Sequence, residues 1–445
     1  MNDPGLALVF FYNKSNRHSF NALTGALEAD PFFEEVPISF PTNERDLLRA
    51  VSESLGKAAR VLVGVSFATQ QRAQMGRLAR RLRAGIGQRL LLVAGGPHPT
   101  ADPVETLSLG FDIAVRGEGE ATLPELAKRA HALTLEESGG TRWPCHLPCG
   151  GEGHNVADYS VVKGIAFRDE SGLVRLTEPR PWIDLDAYPP WAAKHRKVGA
   201  IEITRGCPHA CGFCQTSHLF GGQLRHRSVA RLVECVEWMM CNRLPDVRLL
   251  SPSAFSYGSA DGQRPNLTVL EDLLSSLRRV LGSRGRLFFG SFPSEARPEH
   301  ITPETLGLLR RYANNGSLVV GAQAGSDTTL ERCRRGHTVA HVFSAVALAL
   351  QAGLKVNVDF ILGLPRETER DMDQTAAAMA RLAAMGARIH AHSFMPLPQT
   401  AFAAEQPGRL SKRLLATVHK LMGRGQLYGQ WQEQARGCET ADERR

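Results

Sequence analysis

Two hydrophobic periods alternate along this chain. Short apolar, β-branched runs recur, each followed by a longer stretch with apolar residues three or four positions apart. That is the pattern of strand then helix. In the first third the strand-like runs are 6–12, 35–40, 61–67, 90–94 and 111–115, and helical patterns cover 19–29, 43–59, 70 to near 85, and a stretch ending near 133. Pro37 places the second run at a sheet edge. Five strands alternating with helices predict a doubly wound parallel sheet. From residue 198 the alternation resumes, with strands at 198–204, 247–251, 286–291, 317–323, 354–362 and 387–394. Helices 228–242, 266–281, 303–312, 339–352 and 369–384 lie between them. Six such units suggest an open (β/α)6 partial TIM barrel. The fold class is α/β.

Between these halves the pattern loosens. Residues 136–153 are rich in Gly, Pro and charge and read as linker. Cys145 and Cys149 fall there, with His146 and His154 nearby, and read as ordinary loop residues. A hairpin is expected from 164–168, the turn 169–172, and 173–176. A proline-rich approach, 179–190, is packed down by Trp182, Tyr188 and Trp191. The expected domains are 1–133, a connector 134–197, a barrel 198–400, and a mostly helical segment 401–445 with an amphipathic stretch 410–422 and a polar tail 436–445.

Composition narrows the class. With 445 residues and 43% hydrophobic content the chain has ample length for large cores. The formal charge of +8 is spread out, with local clusters such as 77–83 that read as solvated helix faces. A nucleic-acid partner is therefore not expected. No long uncharged apolar run is present, so no membrane span is expected, and Met1-Asn2-Asp3-Pro4 lacks a signal-peptide pattern. Nine cysteines, three of them clustered, fit a reducing cytoplasm and a metal site better than a disulfide framework.

The cluster is Arg205-Gly206-Cys207-Pro208-His209-Ala210-Cys211-Gly212-Phe213-Cys214. It follows the run 198–204 and so sits at the C-terminal end of a strand, where ligands of such folds gather. Three thiolates at C-x3-C-x2-C spacing suit zinc or an iron–sulfur cluster. A structural zinc site needs a fourth ligand. His209 is the near candidate; Cys235 and Cys241 lie well downstream.

This spacing, with Phe213 before the last cysteine, resembles the radical S-adenosylmethionine (SAM) enzymes. The resemblance implies a [4Fe-4S] cluster on Cys207, Cys211 and Cys214 whose open iron chelates SAM. It also implies a 5′-deoxyadenosyl radical and a flavodoxin- or ferredoxin-type reductant. Later strand ends resemble the successive motifs of the group containing methylthiotransferases and cobalamin-dependent enzymes. On that basis Phe213 and Gly363 are expected against adenine. Gln323, Ser326 and Arg335 are expected at the polar ends of SAM, and Glu295 at an amino group or the substrate. The alternative for each is a barrel-top ion pair without ligand. Departures are visible: Gly-Gly-Glu after the second strand is missing, and Ala324, Arg366 and Gln399 replace residues common in relatives.

The first third resembles the cobalamin-binding domain that precedes many radical SAM domains. Gly95-Gly96-Pro97-His98-Pro99-Thr100 and Gly117-Glu118-Gly119-Glu120 carry the resemblance. Candidate cobalamin contacts are Ser66, Thr69, Gly95, Gly96, His98, Gly117 and Glu118; taken singly, each glycine is a turn residue. The Asp-x-His-x-x-Gly motif that gives histidine to cobalt in some relatives is absent, leaving His18 and His98 as possible ligands. The combined expectation is a cobalamin-dependent radical SAM enzyme, with methylation of an unactivated carbon the commonest outcome among relatives. A methylthiotransferase would carry three further cluster cysteines in its N-terminal domain, whereas no cysteine precedes Cys145. A zinc-stabilised binding protein is the non-enzymatic alternative. The substrate is not legible.

Overall fold

The computed structural model describes residues 5–86, 89–136 and 159–435. The chain forms two compact units that divide between Gly199 and Ala200. Cys145, His146, Cys149, His154 and the polar tail 436–445 lie outside the described residues.

In the first unit β1 (Leu6–Phe10), β2 (Ile38–Ser39), β3 (Arg60–Ser66), β4 (Leu90–Gly95) and β5 (Ile113–Val115) run parallel in the order β2-β1-β3-β4-β5. Alternate residues of β1 enter separate cores. Leu6, Leu8 and Phe10 pack with Leu27 and Leu126, while Ala7 and Val9 pack with Leu47, Val51, Leu78 and Leu82. Helices therefore cover both faces, which is why β3 is buried at every residue and reads as a continuous apolar run.

The expected purely parallel sheet is extended. β6 (Ile165–Arg168) and β7 (Val174–Leu176) form the anticipated hairpin and add antiparallel to β5. An uncovered β5 would expose a row of unpaired backbone groups, and the hairpin pairs them.

In the second unit the parallel strands β8 (Ile201–Glu202), β11 (Asp246–Leu250) and β12 (Arg286–Phe288) form one sheet, with β11 in the middle. β13 (Ser317–Gln323), β14 (Lys355–Leu362), β15 (Arg388–Ser393) and β16 (Leu427–Tyr428) form another in sequence order. The Ala296 backbone stitches the two together, donating to Val319 O at 2.8 Å and accepting from Gly321 N at 3.1 Å. The result is an open partial barrel.

Two expectations change here. The first strand is not continuous: β8 pairs with β11, whereas β9 (Thr204–Arg205) turns away to pair antiparallel with β10 (Arg225–His226). Ile203 between them bonds both ways, donating to Leu250 O and accepting from Arg227 N, each at 2.9 Å. The C-terminal segment, expected as helix, also contributes β16. Gly429 allows it: at φ +130, a Cβ there would meet Ala391 O at 2.1 Å.

The inner face of this sheet is polar. Along β14, Val356, Val358, Phe360 and Leu362 are buried, while Asn357, Asp359 and Ile361 are only half-buried. Side chains alternate across a strand, so one face meets the helices and the other lines the barrel.

Candidate active site

The cysteine loop is closed at its base by the β9–β10 pair, with Arg205 opposite Arg225 and Thr204 opposite His226. Gly206 enters the loop at φ +89, and an added Cβ would meet Gln223 O at 2.1 Å. Only glycine fits there. Cys207 N then bonds Gly221 O at 3.0 Å, and Ser217 ties the loop across itself, donating to Cys207 O at 2.6 Å and accepting from Ala210 N at 3.2 Å. Cys214 N turns back to Cys211 O at 2.9 Å. Gly212 lies against the Phe402 ring, and its backbone is held by Cys333 O and Phe402 N, each at 3.0 Å. Backbone bonds thus hold the loop around all three thiols, and none of the three is in a disulfide.

The charged neighbours come from other strands. Arg335 points its Nη1 at Cys211 Sγ (3.5 Å) and its Nη2 at Gly321 O (2.8 Å). Its guanidinium lies 5.9 Å from the Phe213 ring centre and 3.9 Å from Glu295 Oε1. Gln323 Nε2 donates to Glu295 Oε2 at 3.3 Å. Gln323 sits at φ +72 beside a register shift in β13, a bulge that re-aims it. Gly321 makes room for Glu295, since a Cβ would meet both carboxylate oxygens at 2.8 Å. Burial pushes the Glu295 carboxyl above the usual carboxylate range, against the pull of Arg335. Burial likewise raises the Cys207 and Cys214 thiols.

Cys207, Cys211, Phe213, Cys214, Glu295, Gln323 and Arg335 therefore form one site. Ser326 and Gly363 are engaged elsewhere. Ser326 caps helix Asp327–Arg332 and donates to Asp371 Oδ1 at 2.5 Å. Gly363, at φ +72, packs on the Gly408 backbone, where a Cβ would meet Gly408 O at 2.7 Å. Sequence reasoning missed Arg297, which is buried, bonds Arg335 O and pairs with Glu299. It also missed Phe402, whose ring floors the loop; neither has a local sequence signal.

The donor set fits a [4Fe-4S] cluster. A tetrahedral zinc site draws its ligand atoms to about 3–4 Å from one another. Among the described residues the one group of three or more metal-ligating side chains whose atoms all approach within 4.8 Å is Asp359, His390 and His392. The three thiols supply three soft ligands from one loop, which suits a [4Fe-4S] cluster with one open iron, whereas a structural zinc ion would need His209 as its fourth ligand. Burial holds His209 neutral, with its pKa lowered to about 4.

In the first unit, strand order reverses between β1 and β3, the place where such sheets bind ligands beyond their carboxyl ends. Asn16 pins that point: its Nδ2 donates to Phe11 O at 2.9 Å and to Ser66 O at 3.2 Å. Gly96, at φ +96, lets the β4 loop close on Phe67, while a Cβ on Gly117 would meet nothing within 4 Å. Gly95 is nearly as open, with Val115 the nearest contact at 3.9 Å. The loops thus leave room for a flat ligand. His98 does not offer itself to one. Its ring is fully buried against Phe67, with Nδ1 3.3 Å from Thr69 Oγ1 and Nε2 3.3 Å from Glu105 Oε2. Glu118 is also occupied, accepting from Ile183 N at 2.8 Å. His18 lies in helix Arg17–Glu28 beside Gly199.

Comparison with known proteins agrees with this geometry. The Radical SAM superfamily model matches residues 201–379, and the B12 binding domain model matches 18–127. An uncharacterised protein of Methanopyrus kandleri is 28% identical over 395 residues, covering 78% of this chain and 68% of that protein. A tRNA-2-methylthio-N(6)-dimethylallyladenosine synthase of Trichlorobacter lovleyi is 26% identical over 240 residues, 53% of this chain and 52% of the relative. The chain thus spans about half the length of the methylthio synthases it matches. Among solved structures, the radical S-adenosylmethionine methyltransferase TsrM from Kitasatospora setae, with cobalamin and [4Fe-4S] cluster bound, superposes with a TM-score of 0.65. It is 17% identical, covering 89% of this chain and 77% of that one. The cobalamin-dependent S-adenosylmethionine radical enzyme OxsB gives 0.61 at 16% identity, covering 85% and 52%. These likenesses are of fold.

Proposed function

We propose that this chain, in which residues 201–379 match the Radical SAM superfamily model and residues 18–127 the B12 binding domain model, is a cobalamin-dependent radical SAM enzyme that methylates an unactivated carbon. The observation that carries this is the cysteine loop itself: three free thiols at C-x3-C-x2-C spacing, with Arg335 at Cys211 and Glu295–Gln323 alongside. When bound, the reduced cluster with SAM supplies the 5′-deoxyadenosyl radical and methylcobalamin the methyl group.

The chain's own residues bind and orient. Cys207, Cys211 and Cys214 hold the cluster. Arg335 places a permanent positive charge beside the sulfur of Cys211, and it matches a carboxylate by its planar fork. Glu295 and Gln323 together offer acceptor oxygens to an ammonium group; burial raises the Glu295 carboxyl, and a cation beside it would lower it again. Phe213 offers a ring face for adenine. Gly95, Gly96 and Gly117 let a corrin approach backbone in the first unit, with no imidazole from His98. A flavodoxin- or ferredoxin-type protein is the expected reductant. Among the described residues no helix is long and apolar enough to cross a membrane.

The sequence relatives favour a second reading, a methylthiotransferase. The absence of cysteine before Cys145 weighs against it, since that chemistry is expected to need a second cluster. Anaerobic purification with iron, sulfide and corrinoid analysis tests both, run beside a variant with Cys207, Cys211 and Cys214 all changed to Ala. About four irons in the wild type, absent from the variant, and corrinoid in both support the proposal. About eight irons favour the methylthiotransferase. Zinc in place of iron removes both.

A further inference from the structure

Across the inner face of the barrel one register row runs Gly321, Asp359, His390, Tyr428. Asp359 Oδ1 lies 3.0 Å from His390 Nδ1. The Tyr428 ring stacks on His390 at 4.6 Å and 15°, and His392 meets it edge-on at 4.2 Å. Tyr428 is itself held, its hydroxyl on Asn357 Oδ1 at 3.1 Å and Arg388 over its ring. The His390 side chain is 24% exposed and that of Asp359 16%, so the row is reachable from the barrel interior.

These three side chains form a metal-like group by distance, but the hydrogen bonds speak for protons instead. Gln434 Oε1 accepts from Ser393 N at 2.9 Å, which leaves its Nε2 to donate to His392 Nδ1 at 3.4 Å. His392 must then carry its proton on Nε2, where a metal would have to bind. On His390, Nδ1–H faces the carboxylate, so Nε2 is the acceptor.

We propose that the Asp359–His390 pair is a proton-accepting site in the barrel for a substrate bearing a weakly acidic hydroxyl or ring N–H, with His392 Nε2–H as the adjacent donor. The substrate X–H bond breaks, its electron pair stays on X, and the proton forms a bond to His390 Nε2. Asp359 is the positioning residue that balances the imidazolium. No electron is exchanged. The charged and titratable groups facing the pair are His392 on the strand of His390, Tyr428 from β16 with Arg388 over its ring, and Glu295, whose carboxyl the Asp359 charge helps to raise. This deepens the radical SAM reading and rests on it for what the proton loss serves.

The test uses 4-nitrophenol, whose anion absorbs in the visible, at a pH below its own pKa, and reads the anion in excess of that in buffer alone. Wild type and the cluster variant lacking all three cysteines should both bind it and show this excess. His390→Gln should abolish the excess, and Asp359→Asn should cut it about tenfold, with folding checked by circular dichroism. Histidine nitrogen NMR of the wild type should show the Nδ1–H tautomer for His390 in its neutral form. No excess anion with the wild type, an excess unchanged by His390→Gln, or the opposite tautomer overturns the proposal. So does tight binding of one zinc ion that requires both His390 and His392. Because the cluster variant is included, loss of the radical SAM reading would appear in iron analysis and leave this result readable.

Discussion

Gly206 shows how far a single residue controls the site. Its φ of +89 and the 2.1 Å approach of Gln223 O leave no space for a methyl group. Gly206→Ala should lower iron content several-fold after reconstitution while leaving far-ultraviolet circular dichroism unchanged; iron-to-protein ratio is the measurement. His337 makes a pH prediction. Its ring is buried, it contacts Ala322 O at 3.2 Å, and burial lowers its pKa from 6.5 to about 3. Below pH 6.5 the unfolded chain binds a proton that the folded chain refuses. Stability should therefore fall as pH drops from 6.5 toward 3, by about 1.4 kcal/mol per pH unit from this group. His337→Gln should show a shallower pH slope in urea unfolding, and an identical slope would sink the assignment. At this scale the cysteine ligands were legible because their spacing is local. Arg297 and Phe402 were not, since they reach the loop from distant strand ends.

At the scale of elements, β13 carries the clearest test. Its bulge turns Gln323 toward Glu295, and Gly321 leaves the carboxylate its space. Gly321→Ala should displace Glu295 and weaken SAM binding to the reconstituted protein by about 1–2 kcal/mol, roughly five- to thirty-fold, read by equilibrium dialysis. In the first unit Glu118 clamps the chain at Ile183. Glu118→Ala should destabilise by about 1–3 kcal/mol, seen as a lower urea midpoint, without loss of corrinoid. The long helices were legible to within a few residues, whereas the short ones Pro97–Ala101, Pro103–Ser108, Thr216–Phe220 and Asp327–Arg332 were not, because one turn or two cannot display a 3.6-residue period. Helix 303–312 was read from its period, and it begins on a Thr302 cap and a first-turn proline. β16 was not legible, because two residues cannot display an alternation, and the broken first strand was not, because Ile203 satisfies both partners at once.

For the whole molecule the division between Gly199 and Ala200 predicts separable chemistry. A protease site inserted there should, after cleavage and separation, leave corrinoid on the N-terminal piece and iron on the C-terminal one; both on one piece would contradict the domain assignment.

The sequence by itself determined the α/β class, the two stretches of strand–helix alternation, the cysteine loop and its place at a strand end, because hydrophobic period and thiol spacing are properties of neighbouring residues. Only the tertiary structure decided which candidates share a site. It joined Arg335, Glu295 and Gln323 to the cysteines, and it committed Ser326, Gly363, His98 and Glu118 to caps, backbone packing and buried bonds. Asp359, His390 and His392 look unremarkable along the chain. They meet because parallel strands align residues from distant segments in one row, and no local pattern records that register.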